Sequence, residues 1–329
     1  MESIDKMKYK KFGKLDWNIS QVGYGMWGMA GWSESDDKIS NKSLDRAVEL
    51  GCNFFDTAWG YAEGRSEKIL AGLLKRHSEK RLYTATKIPP KIDEWPPSKS
   101  STLKDIYPSN HMVEYTEKSL KNLGVETIDL QQFHVWEDSW AERDEWKEMV
   151  LKLKQEGKVQ SFGISVNRWE PANCLKALES GLIDSIQVIY NIFDQSPEDV
   201  LFPYCEKNDI AVIARVPFDE GSLTGKLTLA SKWDIGDFRN IYFGPENLPP
   251  TIKRIEKLKE LVQNEMPLAE LALRFIAAHP AVTTMIPGMR QLRNVEANMR
   301  IGDGQGLSQE WIDKLRDHRW DRLPTNWSC

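Results

Sequence analysis

Asp56, Tyr61, Lys87 and His134 each stand at or shortly after the end of a short apolar run in the first half of the chain. Asp56 closes Asn53-Phe54-Phe55-Asp56, and Tyr61 follows five residues later. Lys87 closes Leu82-Tyr83-Thr84-Ala85-Thr86-Lys87, and His134 closes Ile128-Asp129-Leu130-Gln131-Gln132-Phe133-His134. Such runs predict β-strands. A phenol, an ammonium, a carboxylate and an imidazole gathered at strand ends are the groups needed to protonate a carbonyl oxygen while hydride arrives. A free phenol has a pKa of about 10 and donates too reluctantly for fast neutral catalysis. Lys87 beside Tyr61 is expected to lower that value, and Asp56 to keep the lysine charged and in place. His134 would donate a hydrogen bond to the substrate oxygen; one well-aimed donor to developing negative charge is worth about 3 kcal/mol.

Each residue alone has a plainer role. A tyrosine after a loop commonly packs, Asp56 can cap a helix, and a lone lysine is usually solvated. His77, His111, His279 and His318 fall on predicted helices or helix ends, whereas His134 ends a strand. The weight lies in the conjunction.

The elements that must hold these groups recur along the chain. Strands are predicted near 21–25, 53–56, 82–87, 127–133, 159–164, 184–189, 210–215 and 282–286, alternating with amphipathic stretches. Helical periodicity covers Asn41 to Leu50, Ser66 to Arg76, His111 to Leu123, Glu142 to Glu156 and Leu268 to Ala278. Gly51, Gly124, Gly157 and Gly181 stand where helices would stop. Eight strands alternating with helices indicate parallel βαβ units, and eight is the number that closes a (β/α)8 TIM barrel, whose strand ends converge on one mouth. Tyr9 to Ile19 reads as a hairpin turning at Gly13-Lys14, placed to plug the barrel's amino-terminal end. Two long segments, Pro89 to Asn110 and Phe218 to Pro250, leave the mouth side and read as lids.

Composition narrows the function. The 329 residues are 40% hydrophobic and 28% charged, and single α/β barrels commonly reach this size, so one domain over 1–329 is expected. A formal charge of −5 argues against a nucleic-acid surface. No apolar stretch approaches the roughly 20 residues of a membrane span, and Met1 to Lys6 lacks the apolar region of a signal peptide. A cytoplasmic protein with reduced thiols is the expectation; Cys52, Cys174, Cys205 and Cys329 form no metal-like or redox pair, and Cys329 is expected to be exposed.

The stretch Gly51-Cys52-Asn53-Phe54-Phe55-Asp56-Thr57-Ala58-Trp59-Gly60-Tyr61, with Gly64 and Ser66-Glu67 following, resembles the aldo-keto reductase signature. Thr86-Lys87 and Gln132-Phe133-His134 match the family's next two landmarks, and the similarity runs from about Tyr9 to Asn298. The resemblance implies an eight-stranded barrel, a nicotinamide cofactor bound without a Rossmann domain, and reversible reduction of aldehydes or ketones. It also implies Tyr61 as acid, Asp56 and Lys87 as its supports, and His134 as the carbonyl-orienting residue. A competing motif, Gly23-Tyr24-Gly25-Met26-Trp27-Gly28, fits a dinucleotide fingerprint, but Met29-Ala30-Gly31-Trp32 opens a helix poorly, and a Rossmann turn needs one there. In the resembled family Gly25, Met26 and Trp27 would instead pass close to the nicotinamide.

Further cofactor contacts follow from the same resemblance. Ser165, Asn167 and Gln187 would bond the carboxamide, Asn167 standing one residue later than in the commoner arrangement. Arg215 takes the place of a stacking tyrosine, and its guanidinium plane can lie over the ring; an ion pair at the barrel rim is the alternative. Gly288 and Arg290 precede a helix carrying Asn294 and Asn298, a natural phosphate site. Arg290 is the candidate for the 2′-phosphate, which implies NADPH over NADH. Gly288 replaces a lysine and Ala297 a glutamate found in many members, so the adenosine end would be held less tightly; Arg293 is a possible substitute on an exposed helix face.

Trp27, Trp32, Trp59, Trp136 and Trp140 follow strands on the mouth side, and Trp27, Trp59 and Trp136 are the expected walls of the substrate pocket. No cationic cluster demands a charged substrate, so a small-molecule carbonyl compound is the expected partner, its identity and the oligomeric state open. The tail, Trp320 to Cys329, could fold over the mouth. A cofactor-bound regulatory subunit, like those of potassium channels, would carry the same groups with slow turnover; a non-catalytic ligand-binding barrel is the third reading.

Overall fold

The computed structural model describes residues 7–29, 36–92, 95–263 and 265–322. Eight parallel strands form one sheet: β3 (Tyr24–Gly25), β4 (Phe54–Asp56), β5 (Tyr83–Ile88), β6 (Ile128–Phe133), β7 (Val159–Ser165), β8 (Ser185–Ile189), β9 (Ala211–Arg215) and β10 (Val282–Met285). Bridges Val22↔Met285 and Gly25↔Gly288 join its first and last strands, so the sheet closes on itself as a barrel. The seam is tight: a Cβ on Gly25 would lie 2.5 Å from the Ile286 carbonyl oxygen, which excludes any side chain there. All eight predicted strands are present. The Rossmann alternative fails on its helix, because Trp27–Met29 after β3 is only a short 3-10 turn.

Ahead of the barrel, β1 (Tyr9–Lys11) and β2 (Asn18–Ser20) pair antiparallel. Phe12 and Ile19 are fully buried and, with Leu15 and Trp17, pack onto Phe54, Tyr83, Ala85, Leu130, Ala211 and Ile213. The hairpin therefore plugs the end where the strands begin.

Strand periodicity sorts the barrel interior into layers. Phe54, Tyr83, Ala85, Leu130, Ala211 and Ile213 form the apolar floor above the hairpin. Two residues further along the same strands come Asp56, Lys87, Gln132 and Arg215; the register pairs Lys87 with Gln132 and Ser165 with Gln187. The polar layer is thus one pleat above the apolar one, at the mouth. The alternate residues, such as Phe55, Ile88, Phe133 and Phe162, face the helices and join the larger core.

The outer ring contains α1 (Asp37–Glu49), α2 (Arg65–Arg76), α3 (Leu103–Ile106), α4 (Ser109–Leu123), α5 (Asp144–Gln155), α6 (Leu175–Glu179), α7 (Leu201–Lys207), α8 (Arg239–Tyr242), α9 (Leu248–Val262), α10 (Leu268–Ala278), α11 (Leu292–Met299) and α12 (Gln309–Arg316). α1 starts four residues before its predicted onset because Asp36 caps it, accepting from Lys38 and Ile39 N–H. Gly124 ends α4 in the left-handed conformation, as the glycine spacing predicts. Cys52, Cys174 and Cys205 are buried free thiols; Cys329 and Trp32 lie outside the described residues. No helix among the described residues is long and apolar enough to cross a membrane.

Candidate active site

Asp56 ends β4, Lys87 is the penultimate residue of β5, and both point into the barrel. Lys87 Nζ donates to Asp56 Oδ2 at 2.7 Å and to the Thr57 carbonyl at 2.7 Å, and lies 3.4 Å from the Tyr61 hydroxyl. The lysine and aspartate side chains are only 1% and 2% exposed, so neither charge can turn to water. Breaking such a pair by removing one partner costs about 3–5 kcal/mol. The other oxygen of Asp56, Oδ1, accepts from Gln187 Nε2 at 2.7 Å and from Gln132 Nε2 at 3.3 Å.

Tyr61 reaches this group from the turn between β4 and α2, and its ring meets the His134 ring edge-on at a centroid distance of 5.9 Å. The four candidate reacting groups therefore share one pocket at the strand ends. The turn depends on Gly64, whose φ is +81° and whose missing Cβ leaves room for Asn122 Nδ2, 2.1 Å from where a Cβ would stand. Beneath it, buried Glu67 accepts from Thr86 Oγ1 at 2.6 Å and Asn122 Nδ2 at 2.8 Å, fixing the strand one residue before Lys87.

Burial raises the Tyr61 hydroxyl above the ordinary phenol value; Lys87 pulls it down and Asp56 pushes it up, leaving a net rise. The direction is opposite to the lowering expected from the lysine alone, because desolvation of phenolate outweighs the neighbouring charge. Burial also opposes the charge on Lys87, but Asp56 and Tyr61 more than offset it and hold the ammonium protonated. His134 is driven well below its usual value by burial, then by Lys87 and Arg215, so its imidazole is neutral at physiological pH. Its Nδ1 is buried with no hydrogen-bond partner among the described residues.

The remaining candidates lie around the same rim. Ser165 ends β7 and is buried. Asn167 Oδ1 accepts from Trp169 N–H at 2.9 Å, so its carbonyl serves the local turn. Gln187 donates through its amide nitrogen to Asp56 and to Gln132 Oε1, the latter at 3.3 Å, which leaves its oxygen to accept. Arg215 ends β9; its Nη2 donates to the Val166 carbonyl at 3.1 Å, and its Nε is buried without a partner among the described residues. Burial, then Arg168, lowers Arg215 to about 10. Arg290 lies along Gly28, whose added Cβ would be 3.2 Å from Arg290 Cδ. Gly288 borders open space, Asn298 is buried and Asn294 half-buried on α11, and Arg293 is exposed.

The aromatic walls differ from expectation. Trp27 is 41% exposed at the mouth. Trp59 turns outward instead, edge-on to Tyr115 of α4 at 4.5 Å. Trp136 presents no face to the mouth: it is buried among Phe133, Trp140 and Trp146 in the layer between barrel and α5. Trp95, which the sequence did not single out, sets its ring edge-on to His134 at 4.6 Å. It comes from the 89–110 segment, which also supplies Tyr107, whose hydroxyl accepts from Val135 N–H at 3.0 Å and props the chain just after His134.

The sequence model of the Aldo/keto reductase family matches residues 21–319. An uncharacterized oxidoreductase of Bacillus subtilis, YqkF, is 31% identical over 322 residues, covering 95% of this chain and 96% of its own. The NADH-specific methylglyoxal reductase of Escherichia coli is 26% identical over 309 residues, covering 89% and 93%. Among solved structures, the holo form of an aldo-keto reductase from Bacillus halodurans is similar with a TM-score of 0.77 at 25% identity, covering 98% of this chain and 99% of that one.

Proposed function

Since the chain belongs to the aldo/keto reductase family and is an oxidoreductase of that kind, we propose that it reduces a small aldehyde or ketone with NADPH, reversibly, at the pocket of Asp56, Tyr61, Lys87 and His134. One observation carries this reading: a phenol, an ammonium, a carboxylate and a neutral imidazole converge at the mouth end of parallel strands.

The residues fit a nicotinamide dinucleotide. Arg215 holds a buried donor in want of a partner, and Gln187 has an oxygen left to accept from a carboxamide N–H. Ser165 and Asn167 adjoin them at the end of β7, and Gly25, Met26 and Trp27 border the same rim. Arg290, with Gly288 and Asn294, stands at the amino-terminal end of α11, where backbone N–H groups and dipole favour a phosphate, and Asn298 lies in the last turn of the same helix. A guanidinium there favours the 2′-phosphate and hence NADPH. The bound dinucleotide supplies hydride to the carbonyl carbon.

The chain's own groups manage the oxygen. His134, held neutral, donates N–H to the carbonyl oxygen without adding a charge that would repel Lys87. Tyr61 stays protonated in the resting pocket, which is the form that donates. As the oxygen becomes negative, Tyr61 gives up its proton, and Lys87 stabilises the phenolate left behind. Asp56 prevents Lys87 from losing its own proton instead. Preset dipoles and charges of this kind need no reorganisation during the reaction. Trp27 and Trp95 border the space above the oxygen and suit apolar or flat substituents.

A panel of aldehydes and ketones tested with NADPH and with NADH, following loss of reduced-nicotinamide absorbance, tests the proposal. Sustained turnover favouring NADPH is expected; no turnover with any compound would refute it.

A further inference from the structure

The chain immediately after Arg215 bends through conformations that side-chain-bearing residues rarely adopt. Val216, Asp219 and Glu220 have φ of +53°, +45° and +56°. A β-branched residue at positive φ is a genuine outlier, and such geometry persists only where the surroundings over-determine it. Here the surroundings are a buried polar network. Asp219, fully buried, accepts at Oδ1 from Arg322 Nη2 at 2.9 Å, from Arg168 Nη2 at 3.4 Å and from the Tyr242 hydroxyl, and at Oδ2 from Ser222 at 2.8 Å. Arg322 Nη1 donates to the Tyr242 oxygen at 2.7 Å and its Nη2 to Asp194 Oδ2 at 2.7 Å. Asn191 ties the carbonyl of Val216 to Asp194, at 3.0 and 2.9 Å.

The network joins segments distant in sequence. Arg168 follows β7, Asp194 follows β8, and Asp219 follows β9. Tyr242 ends α8 in the 218–250 segment, and Arg322 belongs to the carboxy-terminal stretch. That 218–250 segment has a small core of its own, with Tyr242, Phe243 and Leu248 packed by Trp169, Leu227, Trp233 and Phe238. It also carries Asp237, which lies within electrostatic reach of Arg290. Two arginines face two aspartates, with Glu220 and Arg215 within electrostatic reach of them. Without Arg322, Asp219 and Asp194 would be left with Arg168 as their arginine partner.

We propose that Arg322 is a positioning residue for dinucleotide binding: through Asp219 and Tyr242 it latches the strained 216–221 turn, and with it Arg215 and the 227–243 loop, in the shape that receives the cofactor. The inference rests on the cofactor reading above but is tested separately from it. The segment ending at Arg322 thereby shapes the binding mouth without touching the ligand, and residues 323–329 lie outside the described residues.

The test uses the full-length protein with Arg322→Met, Arg322→Ala and Tyr242→Phe, the last keeping the ring and the fold while removing the shared hydroxyl. Without ligand, chymotrypsin should cut within 227–243 faster in each variant than in wild type, since Trp233, Phe238, Tyr242 and Phe243 lose their anchor. NADPH affinity, read by tryptophan quenching, should weaken about tenfold. Millimolar guanidinium should restore affinity in Arg322→Ala but not in Tyr242→Phe, a response that general destabilisation would not give. Wild-type rates of loop cleavage in Tyr242→Phe and in a folded Arg322 variant would overturn the latch, as would unchanged NADPH affinity in both. If wild type itself bound no NADPH, the cofactor reading would fall, and the cleavage comparison would still decide the latch.

Discussion

Lys87 Nζ stands 2.7 Å from Asp56 Oδ2 but 3.4 Å from the Tyr61 hydroxyl, so the ammonium belongs first to the carboxylate. Its pull on the phenol is secondary, and burial prevails in raising Tyr61. The resting pocket therefore stores a proton on the phenol rather than a negative charge.

Replacing Tyr61 with Phe should cut kcat by about a hundredfold or more, the usual size of an acid–base contribution, while NADPH still quenches tryptophan fluorescence. In the reverse direction phenolate must take the alcohol proton. A raised pKa means that phenolate appears only at high pH, so kcat/KM for alcohol oxidation should climb through neutral and alkaline pH. Measured profiles that are flat, or a Tyr61→Phe variant with near-normal turnover, would remove Tyr61 from the role.

His134 predicts how acid affects the fold. Its value in the folded chain is well below 6.5, so below about pH 6.5 the unfolded chain takes up a proton that the folded chain refuses. Stability from this residue is complete above the unfolded value and is lost as pH falls. His111, His279 and His318 shift the same way, so a difference measurement is needed. Between pH 7 and pH 5, Tm of the wild type should drop further than Tm of His134→Gln. Equal drops would show that His134 is not held neutral.

Arg290→Ala should weaken NADPH about tenfold to a hundredfold, the range of a lost charged hydrogen bond, and leave NADH nearly unchanged. Equal losses for both, compared by fluorescence titration, would contradict a 2′-phosphate contact. The kinship with an NADH-specific reductase makes the comparison informative either way.

Trp95→Ala should raise KM for an aromatic aldehyde by about fivefold, the equivalent of one edge-to-face contact, with a smaller effect for a two-carbon aldehyde. Identical changes for both would mean that the indole merely packs on His134.

Regular structure was legible wherever local pattern suffices. Short apolar runs bounded by turns predict the strands that end at or beside Asp56, Lys87 and Arg215, and the Tyr9 to Ile19 pattern predicts the hairpin. The failures came from orientation and distance. Trp136 lies three residues past Phe133, where the chain has left the strand and no longer alternates, so its outward packing carried no sequence signal. Trp95 sits amid Pro, Ser and Lys with no periodicity to aim it. The Arg168–Asp219 and Arg322–Asp219 pairs span 51 and 103 residues, a separation at which no spacing rule matches arginine to aspartate. The sign of the Tyr61 shift required knowing how completely the pocket is enclosed.

Because Phe12, Trp17 and Ile19 stopper the floor of the barrel, the described residues leave the opposite end as the way in. A ligand lying deep in that cul-de-sac cannot depart past one lodged above it. Arrival and departure then mirror each other, and steady-state kinetics with product inhibitors should obey a compulsory sequence rather than a random one.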